Sequence, residues 1–120
     1  MDIEKKVFQF KIRLRNIEPE IWRRIVVPAN YSFWDLHVAT QDSIGWLDSH
    51  FHAFRVKNPN NGVSEQIGIP NDEYLDDELV FLPGWKMPIA KYYQKPGDNA
   101  SYEYDFRDDW EHEITLEMIN

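Results

Sequence analysis

The segment Val7 to Ile17, VFQFKIRLRNI, places Phe8, Phe10, Ile12 and Leu14 on one side and Gln9, Lys11, Arg13 and Arg15 on the other. A repeat of two is the spacing of a half-buried antiparallel strand. Such a strand needs strand neighbours with matching faces and something to cover its apolar side. The rest of the chain offers both. Asn16 to Glu20 forms a turn around Pro19, and Ile21 to Val27, closed by Pro28, reads as a second strand pairing back on the first. His50 to Val56 reads as a third strand with His50, His52, Phe54 and Val56 on one face, and Glu65 to Ile69 as a short fourth. A turn over Asn58 to Gly62 separates these two, and Asn71 to Glu78 reads as an acidic loop.

The cover comes from Ser32 to Trp46, which reads as a helix. Ser32 with Asp35 resembles a capping box, and Gly45 suits the C-terminal end. At 100° per residue Phe33, Leu36, Thr40, Ile44 and Leu47 form one stripe, with His37 on its flank and Trp34 and Val38 turned away. Pro88 suits the first turn of a second, short helix reaching Tyr93. The expected fold is therefore α+β: a mainly antiparallel sheet packed with two helices, in the order β-β-α-β-(β)-α-β-β. At 120 residues with 42% hydrophobic side chains, residues 1–120 suffice for one domain with one core.

The last part of that order is the hairpin around YDFRDDWEH, Tyr104 to His112. Tyr102, Tyr104 and Phe106 alternate with Glu103 and Asp105; Trp110, His112, Ile114, Leu116 and Met118 alternate with Glu111, Glu113, Thr115 and Glu117. A loop of Arg107, Asp108 and Asp109 pairs Phe106 with Trp110 and Tyr104 with His112, which keeps every face consistent. It also sets Asp105 against Glu111 and Glu103 against Glu113, and like charges facing each other are destabilising. Lys11, Arg13 and Arg15 on the first strand are the expected counter-charge, and a divalent cation is the alternative. Asp105, Asp108, Asp109 and Glu111 are thereby candidate binding residues.

Two further groups carry candidate chemistry. His50 and His52 lie on one strand face, and His112 from another strand completes a three-imidazole set of the kind that holds a divalent metal. Histidines hydrogen-bonded within the core are the alternative reading. Trp34, Val38, Trp46 and Trp85 are candidates for an exposed patch that takes a protein partner or a second copy. A net charge of −8 argues against nucleic acid, and the absence of cysteine excludes disulfides and thiolate chemistry. No apolar run reaches the length of a membrane span, and the opening residues do not resemble a signal peptide, so a cytoplasmic setting is expected. The expected role is a non-enzymatic binding or protein-interaction module. A metal-dependent enzyme built on the histidines and carboxylates is the alternative.

The succession IWRRIVVP, FWDLHVATQDSIGW, HFHAFRV and YDFRDDWEHEITLE resembles the plasmid pRiA4b ORF-3-like family over Val7 to Glu117. That resemblance implies an α+β domain and no settled activity. The family pattern usually has Gly where Arg107 stands. The recombinase-type label sometimes attached to the family finds no match here: Ser32 reads as a helix cap, and no helix-turn-helix pattern is visible.

Overall fold

A computed structural model describes residues 3–46, 52–69, 81–104 and 110–120. They form seven strands and one α-helix: β1 (Val7–Leu14), β2 (Ile21–Pro28), α1 (Phe33–Ile44), β3 (His52–Lys57), β4 (Ser64–Gly68), β5 (Phe81–Pro83), β6 (Asn99–Tyr104) and β7 (Trp110–Ile119). The strands lie in one sheet in the order β2-β1-β7-β6-β3-β4-β5. Its neighbours are antiparallel except β4 and β5, which run parallel, so the sheet is mixed.

The expectation of an α+β fold with two packed helices is therefore overturned. The segment after Pro88 makes only a 3-10 turn, Ile89–Lys91. Its backbone bonds instead to the approach to α1: Ile89 donates to the Tyr31 carbonyl at 3.0 Å, and Phe33 donates to the Met87 carbonyl at 2.9 Å. These bonds tie the segment to α1, and the N–H groups of Gln94 and Lys95, which would extend the turn, go instead to the Asp98 carboxylate at 2.8 and 3.1 Å. The strand β5 was not legible either, because three residues carry no periodicity.

The alternation in β1 holds throughout: Phe8, Phe10, Ile12 and Leu14 are buried, and the residues between them half-exposed. Helix α1 begins with a complete capping box between Ser32 and Asp35 and ends at Gly45, whose φ of 88° lies where a side chain would be strained. It covers the apolar face of the sheet. Phe33 and Leu36 are fully buried there with Phe8, Phe10, Phe54, Tyr93, Ile114 and Leu116.

The final hairpin keeps the expected faces with a register shifted by two residues. Tyr104 pairs with Trp110, Tyr102 with His112, Glu103 with Glu111 and Ser101 with Glu113. A shift of two leaves every side chain on its own face, so alternation alone cannot distinguish the two registers. A bulge in β7 changes one further assignment. Gln9 pairs with Met118 and Phe10 with Leu116, which leaves Glu117 as the extra residue and turns Met118 outward, 44% exposed.

Candidate functional site

The expected counter-charge on the open face is present in part. Arg13 and Arg15 reach the Glu113 carboxylate at 3.5 and 3.3 Å, while Lys11 turns to Glu20 at 3.9 Å. Glu103 is matched by Arg55 of β3 at 4.0 Å, and Glu117 by Arg24 through two bonds of 2.8 and 3.1 Å. Glu103, Glu113 and Glu117 thus meet cations from three strands. Asp105, Asp108 and Asp109 lie outside the described residues, so the pairing expected for Asp105 lies outside them too. Glu111 is half-buried on the open face.

The covered face carries the more unusual chemistry, near the C-terminal half of α1. Register places His52 beside Tyr104, and Tyr102 beside both His112 and Phe54. Above them, one turn apart on α1, lie His37 and Gln41, both buried. The His37 and His52 rings stack face to face, with centroids 3.5 Å apart and planes 8° from parallel. Gln41 Nε2 donates to the Tyr102 hydroxyl at 2.8 Å, and His37 Nδ1 lies 2.6 Å from the same oxygen. Burial, with His37 adding to it, pushes the His52 pKa down to about 3. Burial also lowers His112, against the pull of the Tyr102 and Trp110 backbone. Both imidazoles are neutral at neutral pH.

His112 Nδ1 lies 3.1 Å from the Tyr102 carbonyl oxygen. A carbonyl only accepts, so Nδ1 carries the proton and Nε2 of the neutral ring presents a bare lone pair. That Nε2 is buried without a hydrogen-bond partner, as are His52 Nδ1 and the indole Nε1 of Trp46. A buried polar atom left unpaired costs about 1–3 kcal/mol, so a group of them calls for a physical reason. The Trp46 ring packs against Tyr104 at 5.1 Å and Trp110 at 5.7 Å, and His52 and His112 both lie against Tyr102, at 6.0 and 5.3 Å. The rings that carry the three orphan nitrogens thus each lie against Tyr102 or Tyr104 of β6.

This geometry belongs to a chain that matches the plasmid pRiA4b ORF-3-like protein family over residues 6–120. The chain is a member of that family. It is similar to the uncharacterized protein y4hQ of Sinorhizobium fredii, with 31% identity over 112 residues, covering 92% of this chain and 53% of that protein. It is also similar to a protein of unknown function from Methanosarcina mazei, MM3350, known from a crystal structure. There the TM-score is 0.83 at 37% identity, covering 95% of this chain and 60% of the other. The chain thus spans little more than half the length of these relatives, and their names assign no activity.

In this family member His52 and His112 lie on strands that flank β6, while His50 lies outside the described residues. Among the described residues no group of three His, Cys, Asp or Glu side chains is placed to hold a metal. The residues that sequence reasoning missed are His37, Gln41 and Tyr102 as a connected polar set. Spacing held the signal: His37 and Gln41 are four apart, on the flank of the apolar stripe. The four patch candidates separate. Trp46 is turned inward against the core, Trp34 is half-buried, and Val38 and Trp85 are exposed. Among the described residues, no helix is long and apolar enough to cross a membrane.

Proposed function

We propose that this domain is a non-enzymatic protein-interaction module, which takes an apolar anchor of a partner protein on the surface around Trp85. The observation carrying this reading is that Trp85 is 53% exposed on a backbone fixed from both sides. Immediately before it, Gly84 packs so closely on α1 that a Cβ there would lie 3.3 Å from the Trp34 amide nitrogen and 3.7 Å from the Gly68 carbonyl oxygen. Just after it, Met87 is bonded to the start of α1. Gly84 thus sets Trp85 next to the Trp34 and Gly68 backbone, and Val38 (38% exposed) and Ile69 (39% exposed) follow one turn after Trp34 and one residue after Gly68. A large aromatic held in place loses little entropy on binding, which is the property of an interface anchor.

The charge selects the partner. The chain carries −8 overall, and Asp35 and Asp42 are exposed on the same helix. A segment with an apolar anchor and basic flanks is complementary, whereas a second copy brings like charge. The test is an array of synthetic peptides with Leu, Phe or Trp anchors and either Lys/Arg or Asp/Glu flanks, with light scattering of the protein alone. The expected result is saturable binding to basic-flanked peptides, lowered about tenfold or more by Trp85→Ala, with a monomeric mass at all concentrations. No peptide binding, equal binding to acidic flanks, or an unchanged response in the variant overturns the reading. A mass that rises with concentration and is abolished by Trp85→Ala assigns the surface to a second copy instead.

A further inference from the structure

The geometry points to the layer between α1 and the β3–β6–β7 end of the sheet as a binding site for a small neutral group that both accepts and donates hydrogen bonds, of which a primary carboxamide is the simplest. The three orphan nitrogens differ in polarity. The Trp46 indole N–H can only donate. The Nε2 of His112 can only accept, because Nδ1 has its proton committed to the Tyr102 carbonyl. His52 Nδ1, also without a partner, donates or accepts according to which ring nitrogen carries the proton. A ligand facing this set must bring an acceptor for the indole and a donor for His112.

That requirement discriminates between chemical classes. A carboxylate has no proton to offer His112, and a carboxylate or a phosphate would stand as an anion among neutral rings. A metal ion would meet the lone pair of His112 and the obligate donor of Trp46 together, and no three metal-binding side chains are grouped among the described residues. A carboxamide has the carbonyl and the N–H that the set lacks. The other polar atoms of the layer are not in competition, because Gln41 and His37 are already engaged with the Tyr102 hydroxyl. At the edge of the layer Trp46 and Trp110 are half-buried, while His112 and Tyr102 are fully enclosed. The site stands on observations separate from the Trp85 surface.

The experiment is a titration of the full ¹⁵N-labelled chain with acetamide, followed at the Trp46 indole N–H and at the ring nitrogens of His112 through long-range ¹H–¹⁵N correlation. Parallel titrations use acetate and Zn²⁺. Before any addition, His112 should show an Nδ1-protonated ring with an unprotonated Nε2. Acetamide should shift both the Trp46 and His112 signals saturably, and acetate should not. Trp46→Phe, which keeps the ring and removes the donor, should weaken the His112 response roughly 5- to 10-fold, the loss of one hydrogen bond. Trp85→Ala should leave it unchanged, which separates this site from the interaction surface. An Nε2-protonated His112, absence of a saturable acetamide shift, an equal response to acetate, or stoichiometric Zn²⁺ capture at His112 each overturns the proposal. The second of these leaves only water in the layer.

Discussion

Two buried tyrosines on the same side of the sheet show how different its two ends are. Tyr93 lies edge-on to Phe10 at 4.7 Å, and its hydroxyl donates to the Ile114 carbonyl at 2.9 Å. It also stacks with Phe33 at 6.3 Å, and burial pushes its ionisation far above the ordinary phenol range. Tyr102 lies among His37, Gln41, His52 and His112. One end places a single polar atom and satisfies it. The other concentrates polar rings and leaves three nitrogens unpaired, a state that a core meant only for stability does not require.

The comparison can be broken most forcefully at the apolar end. Phe10→Ala removes a fully enclosed ring and should destabilise the fold by about 3–5 kcal/mol in urea unfolding. A loss near that of a surface substitution would show that this end is not the main hydrophobic support. The histidine end should instead reveal itself through pH. The folded pKa of His52, about 3, lies below its ordinary value of 6.5, so below pH 6.5 the unfolded chain binds more protons. Stability should be intact above that value and decline as pH falls toward the folded pKa, by about 2 kcal/mol between pH 7 and pH 5 from this residue alone. His52→Phe should flatten much of that slope, and an unchanged slope would place the sensitivity elsewhere.

A finer test sets the two kinds of polar atom against each other. Tyr93→Phe leaves the Ile114 carbonyl short of a partner and should cost about 1 kcal/mol, whereas Trp46→Phe, which deletes an unpaired donor, should change stability by less than about 0.5 kcal/mol. The reverse order would mean that the indole N–H is already satisfied. The smallest effect belongs to the open face, which lacks both kinds of core. The pair Lys11→Glu with Arg13→Glu should lower stability by a few tenths to about 1 kcal/mol, less at high salt. Unchanged or raised stability would sink the cross-strand charge ladder.

The legible parts of the molecule were those where one side chain reports one face. β1, the two-sided hairpin and the cap-to-cap extent of α1 all follow from period and capping chemistry. The hairpin register did not, because shifting by two preserves faces. Nor did the state of Ile89–Lys91, decided by the Asp98 carboxylate, which takes the Gln94 and Lys95 N–H groups, and by backbone bonds that tie this stretch to Tyr31 and Phe33, far away in sequence. The histidine layer was half-visible. His52 and His112 are marked by type and strand position, whereas His37 reads as the helix's flank and Gln41 carries no mark of its own. Their significance comes from Tyr102, which the alternation had assigned to the buried face as an aromatic and nothing more. Val38 and Trp85 were singled out with Trp34 and Trp46, and packing then divided the four.

The bulge at Glu117 reaches beyond local geometry. Without that residue, β7 would alternate regularly: Leu116 inward, Met118 outward and Ile119 inward, as the pairings with Phe10, Gln9 and Phe8 require. Glu117 is in effect a one-residue insertion into a strand that is complete without it, and the inserted carboxylate receives both Arg24 and Gln9. A chain lacking it would keep its last residues on the same faces while giving up the link to β2. In aligning relatives, a gap at this place should be read as the loss of a clasp between strands rather than as a rearranged core.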